Sequence, residues 1–512
     1  MSELIRNHKK ATAALIFAGL ALLCLSIFLA VIIQHWPFSQ ASSADRLQRA
    51  LNSTVEIKNF RQTWFPFAGY VAEGVTFRRQ LADGKTAVPF LTINKLTVQA
   101  NYFDLLRKPH RLRLLLAEGA YIFIPEGGIN LTSQNAKKSD PIVISELRVE
   151  QATLDVGAST HEQGPLRFNV HSARFLNVGP DSTVAFNSSV HIPEPPGEAE
   201  AKGWIGPWRN DRGSARSTPI TGTYTLSKAN LGHYASLDGI LSSQGEFSGT
   251  LARLNVKGAT TSPDFGVRES KHHFQVNTHF VGTVDLRNGD VDLPTLQASI
   301  GKTAFAGSAR VGGEPKAIAL NVPHGTGEVQ DLILLFSAAA RSPITGPIGF
   351  STRIALPPGD KPFTQRVRLE GKFDIDQAHF TSAGTQQGVD KLNAEAQGEH
   401  SELAKENDTV SDLDGQVKLE NGIAWLSPVT FSVPGATANM TGTYSLLSKR
   451  VNFNGKMRMK ATLSEATTGA KSVFLKVLDP FFKKKGAGAE LPVQMSGIYG
   501  DTHFNVGLRA KK

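Results

Sequence analysis

The sequence predicts a mainly β chain carried by one N-terminal transmembrane helix, with a few short helices among its strands. Three observations lead there. From Val55 onward, short runs alternate apolar and polar residues, the period of a half-buried strand. Glycine is abundant, at 47 residues with no collagen-like repeat, which places many turns between those runs. Residues 11–33 form a single stretch without a charge, unlike anything that follows.

That stretch, ATAALIFAGLALLCLSIFLAVII, is long enough to cross a bilayer core about 30 Å thick as a helix. It is longer than a signal-peptide core, and Ser39-Gln40-Ala41 is a poor cleavage site, so the expectation is an uncleaved anchor. Arg6, Lys9 and Lys10 precede it and keep the N-terminus cytoplasmic by the positive-inside tendency. The rest of the chain then lies outside the cytoplasm. Residues 1–36 are read as basic tail plus anchor.

The remaining chain divides by composition. Residues 37–192 open with a short amphipathic helix over Ser43–Leu51 and pass into strands such as Leu91–Val98. A helical turn at Tyr102–Leu106 leads to a strand at Arg111–Leu116, and Ile142–Val149 is expected to pair with Gln151–Val156 across a tight break. Residues 193–219, rich in Pro and Gly, read as a loop or linker. Residues 220–398 are central strand repeats, 399–414 a polar loop, and 415–512 a terminal β module.

Two blocks repeat one another. Gly282–Pro294 and Gly415–Ser427 each read strand, Asn-Gly turn, strand, and Asn-Gly favours the type I′ hairpin. The apolar positions of the first block are Val284, Leu286, Val291, Leu293, Leu296 and Ile300. Those of the second are Val417, Leu419, Ile423, Trp425, Val429, Phe431 and Val433. Each set is expected to share one buried face. Helices able to cover such faces are scarce after residue 120, the main ones being Val329–Ala340 and residues 471–482. Periodicity alone favours a dry sandwich core; a long meander curling on itself would instead leave an apolar trough suited to acyl chains.

Composition excludes several classes. The excess of 55 Lys and Arg over 45 Asp and Glu is scattered rather than gathered on one element, which argues against nucleic acid and fits an anionic membrane surface. Cys24 is the only cysteine, so neither an intramolecular disulfide nor a thiolate metal cluster can form. His272 and His273 are adjacent and point to opposite faces of a strand, and the acidic pairs Asp374/Asp376 and Asp412/Asp414 read as solvated turn residues. No nucleophile elbow or phosphate loop is present, so neither enzyme chemistry nor a cofactor is expected. In the terminal helix, Val473, Phe474, Val477, Leu478 and Phe481 line one face ahead of Lys483–Lys485, as an interfacial helix or a plug for the sheet's end.

The order of these pieces resembles the AsmA-like family of bacterial envelope proteins. The likeness is carried by the anchor, Ala117–Ile124 with Gly128–Leu131, Ile142–Leu154, Ile220–Leu226 with Leu237–Gly249, and the closing run Ala461–Leu463, Phe474–Phe482, Leu491–Gly497. The resemblance implies an elongated, twisted antiparallel β-groove, or half-pipe, on an inner-membrane anchor, with the body in the periplasm. It reverses the preference for a sandwich. It further implies outer-membrane biogenesis, phospholipids as cargo and an envelope protein as partner; the alternative is a sandwich-built scaffold or assembly factor that carries no lipid.

Overall fold

The computed structural model describes residues 40–506, less 52, 81–86, 106–109, 125–141, 157–164, 180, 194, 210–215, 234–236, 269, 287–289, 313–316, 359–360, 362, 397–409, 460–489 and 499–500. Helix α1 (Gln40–Leu51) precedes β1 (Thr54–Thr63), β2 (Ala68–Gln80) and β3 (Ala87–Ala100). One-turn helix α2 (Tyr102–Leu105) leads to β4 (His110–Ile124), β5 (Ile142–Val156), β6 (Leu166–Val178), β7 (Val184–Pro193), β8 (Pro196–Ile205) and β9 (Pro219–Asn230). Next come β10 (Leu237–Asp238), β11 (Ile240–Thr250), β12 (Arg253–Val267), β13 (His273–Asp285), β14 (Asp290–Ile300), β15 (Thr303–Gly312) and β16 (Ala317–Glu328). Helix α3 (Val329–Phe336) separates these from β17 (Ile344–Thr345) and β18 (Pro347–Leu356). After α4 (Phe363–Arg366) and β19 (Arg368–Phe380), helix α5 (Ala383–Ala396) precedes β20 (Ser411–Glu420). The last strands are β21 (Ile423–Val433), β22 (Ala436–Ser445), β23 (Arg450–Met459), β24 (Glu490–Ile498) and β25 (Asp501–Val506).

The strands form one open sheet in which the long strands pair in chain order; the two-residue β10 and β17 pair with β12 and β19, so that β9 pairs with β11 and β16 with β18. Among the described residues β1 pairs only with β2 and β25 only with β24, so the sheet does not close. All pairings are antiparallel except β4 with β5, which run parallel from His110↔Ile142 to Ile124↔Val156. At about 4.8 Å per strand, the ladder extends roughly 105 Å along its contour. This is a single sheet rather than two packed ones, as the groove expectation requires and the sandwich preference from periodicity does not.

Several expectations change. Residues 193–219 are not simply a linker, because β8 occupies Pro196–Ile205 and bonds to β7 and β9 without a break in the ladder. Ile142–Val156 is one strand rather than a hairpin; at Gln151, with φ 52°, the buried side changes from Leu147 and Val149 to Ala152 and Leu154 while the register with β4 and β6 holds. The polar loop is shorter than 399–414, since β20 begins at Ser411; residues 397–409 lie outside the described residues. Helix α5 was not expected. Asn421 and Gly422 have φ of 51° and 76°, as the type I′ turn demands. Asn288-Gly289, the anchor 11–33 and the terminal helix 471–482 with Val473, Phe474, Val477, Leu478 and Phe481 lie outside the described residues. Among those described, no helix is long and apolar enough to cross a membrane.

One face of the sheet is mainly apolar and the other mainly polar. In the first strands the apolar face is densely packed: Phe77, Leu96, Val98, Leu115, Leu147, Val149 and Phe168 have no exposed surface, and Leu47 of α1 joins the same cluster. Beyond β8 the same face is largely half-exposed. Helices α3 and α5 both fold over this face from one rim. Val329, Leu332 and Ile333 of α3 pack with Ile348, Phe373 and Ile375. Val389 of α5 packs with Val433, Ala438 and Met457.

Candidate apolar trough

The trough is built from alternate residues of β9 to β23. Cross-strand rows such as Leu254↔Val284↔Val291↔Val311↔Ile318↔Leu356 run from one strand to the next on the apolar face. Charged residues occupy the opposite face, as in Arg353↔Glu370↔Lys418. The sorting follows from the two-residue period of a strand.

Glycines shape the floor. On the apolar face, an aromatic residue lies across the strand from a glycine at Phe247↔Gly222, Tyr224↔Gly245, Phe280↔Gly258, Phe350↔Gly325, Phe373↔Gly415 and Phe453↔Gly442. The rings occupy the space a side chain would take. A Cβ at Gly222 would meet Phe247 Cζ at 2.7 Å, one at Gly245 Tyr224 Cε1 at 2.8 Å, and one at Gly258 Phe280 Cζ at 2.8 Å. Each ring therefore lies flat over its neighbour's backbone instead of standing into the trough. A flat ring still buries its own area, yet it leaves a shallow floor.

A small polar island interrupts the floor. Ser243 Oγ donates to the Ala259 carbonyl at 3.2 Å and accepts from Thr260 Oγ1 at 3.0 Å. Tyr224 Oη lies 3.2 Å from the same oxygen, and burial pushes the Tyr224 hydroxyl above its ordinary pKa, the Ser243 bond partly offsetting it.

The first predicted set falls on this floor. Val284 and Leu286 are buried together with Leu254, while Val291, Leu293, Leu296 and Ile300 are half-exposed on the same face. A bulge between Leu293 and Leu296, at Pro294, keeps these residues on one side despite their change of parity. The second set divides. Val417, Leu419, Val429, Phe431 and Val433 lie on the apolar face, but Ile423 and Trp425 lie on the polar one, 37% and 40% exposed. The cause is the bulge between Leu426 and Val429, at Ser427-Pro428, which adds one residue and inverts the alternation. Ala424 and Leu426 take the floor positions instead.

Residues that periodicity passed over complete the floor, among them Tyr224, Phe247, Phe280, Leu320, Phe350 and Phe373. Their signal was present as an aromatic two residues from a glycine, in Gly222-Thr-Tyr224 and Gly245-Glu-Phe247. His272 bonds through Nε2 to the Ala339 carbonyl at 2.8 Å, and Asp412 accepts from the Gln377 amide at 3.1 Å. Among the described residues no group of His, Cys, Asp and Glu is arranged to hold a metal ion.

No protein-family model matches the chain, and neither a curated protein nor a solved structure does.

Proposed function

We propose that the chain carries phospholipids, their acyl tails lying along the apolar trough, and that it belongs with the AsmA-like envelope proteins it resembles. The observation that carries this reading is a continuous apolar face that is left half-exposed over more than a dozen strands. Soluble proteins seldom leave so large an apolar surface without a ligand or partner. Burying one methylene contributes about 0.8 kcal/mol, so two tails on such a surface are held firmly without any specific polar contact. In this reading residues 11–33 anchor the chain in the inner membrane, the body lies in the periplasm, and the activity is transfer rather than catalysis, serving the outer membrane.

The test compares the two faces. Native mass spectrometry of the full chain, extracted gently, is expected to show co-purified phospholipid. Val417→Asp, on the floor, is expected to remove it, and Lys418→Asp, its neighbour on the polar face, to leave it in place. A lipid-free parent protein, or equal lipid in both variants, overturns the proposal.

A further inference from the structure

The polar face holds a hollow of its own, about 660 Å³ in volume, spanning β7 to β13. Two rows of side chains border it. Lys202, Thr223, Glu246 and Lys257 are consecutive cross-strand partners on one side. Trp204 and Thr221 face them across the hollow, continued by Ser248 and Asn255. The rows are two residues apart along each strand, about 7 Å, and cross four strands over roughly 15 Å.

Trp204 is the unusual member. It is 55% exposed, stands beside hydroxyl, amide and charged groups with Ala185 and Val281 as the other apolar side chains on that face of the hollow, and belongs to none of the apolar clusters. Trp208, four residues later, packs against the main core instead. The charged residues are unusual too. Glu246 lies directly across from Lys257, yet no ion pair joins them, and Lys202 has no acidic partner among the described residues. Two bases flank one acid, so no strong field of one sign favours a phosphate or another bare anion.

We infer that this hollow is a binding site for a neutral oligosaccharide, with Trp204 as the stacking platform. A sugar ring offers an apolar C–H face and a rim of hydroxyls. The indole supplies a flat apolar surface for the first. Thr221, Thr223, Glu246, Asn255 and the two lysines supply donors and acceptors of both kinds for the second. A hollow that runs across four strands has the length for a chain of sugars rather than a single one. The site lies on the face opposite the trough and does not depend on the lipid reading.

The full chain, held in a detergent without a sugar headgroup, is titrated with maltotetraose, cellotetraose and chitotetraose by isothermal calorimetry. At least one is expected to bind with a Kd at or below about 1 mM. Trp204→Ala is expected to weaken that binding at least about tenfold while the melting temperature holds, because the side chain is exposed. Trp425→Ala, an exposed tryptophan outside the hollow, is the control and leaves binding unchanged. Failure of all three sugars to bind, binding indifferent to Trp204→Ala, or displacement by inorganic phosphate each overturns the inference.

Discussion

The first eight strands and the fifteen or so that follow share one sheet and one alternating pattern, yet they use the apolar face in opposite ways. In β2 to β7 that face carries bulky aliphatic residues such as Leu91, Ile93, Leu115 and Leu147, which fill the curl of the sheet until almost no surface remains. From β8 onward it carries glycine opposite aromatic, as in Gly222 with Phe247 and Gly325 with Phe350, and stays half-exposed. The polar faces differ as well. In the first part they are clasped by close clusters: Arg167 bonds Asp155 at 2.8 Å through two nitrogens, and Glu198 holds both His171 and His191 within 3.0 Å. Farther along, pairs such as Lys418–Glu370 at 3.7 Å are looser. Alternation sets which face is apolar; side-chain volume decides whether that face becomes a core or a floor.

Truncation separates the two regions most sharply. Leu147→Ala opens a cavity in a closed core and is expected to cost about 3 kcal/mol, whereas Leu320→Ala on the trough floor costs about 1 kcal/mol. Urea denaturation followed by hydrogen exchange on strands of each region measures both, and equal losses would erase the distinction. Next comes the clasp on β5 and β6. Arg167→Met leaves the carboxylate of Asp155, 1% exposed, with the Tyr121 hydroxyl donating to it at 3.0 Å. The expected loss is about 2 kcal/mol, less than for a fully buried pair because Arg167 itself faces water.

The smallest effect is a pH dependence. Hydrogen bonds from His191 and then His171 hold the Glu198 carboxyl below the usual carboxylate range, against the pull of burial. A depressed carboxylate contributes stability above its unfolded pKa and loses it as pH falls through the folded one. Parent and Glu198→Gln are therefore expected to differ in melting temperature at pH 7 and to converge below about pH 4. A gap that persists in acid would assign Glu198 a packing role instead.

Much of this was legible in the sequence because a strand's period is two and its turns need particular residues. Asn421-Gly422 announces its hairpin, and Val284 through Ile300 were assigned to one face correctly. Ile423 and Trp425 were not, since one bulged residue reverses the face of everything before it. Pro428 was the available sign: a proline that cannot join the ladder marks a bulge, as Pro294 does in β14. Helix α5 was illegible for another reason. Its sequence is polar, and what seats it is Val389 meeting Val433 and Met457, contacts that exist only once distant strands are side by side. The difference between core and floor was likewise hidden, because it depends on how neighbouring strands oppose glycine with aromatic.

The long strands of the ladder pair in chain order, which makes the sheet nearly one-dimensional. In such an object damage stays local: a weakened hairpin at β22–β23 loosens its neighbours and leaves β2–β7 folded. Length also becomes a free variable. Removing or inserting one antiparallel hairpin preserves strand direction, the sorting of faces and the cross-section of the trough, while changing its reach by about 10 Å. The length of the sheet is thus set by counting hairpins, and can change without redesigning either of its faces.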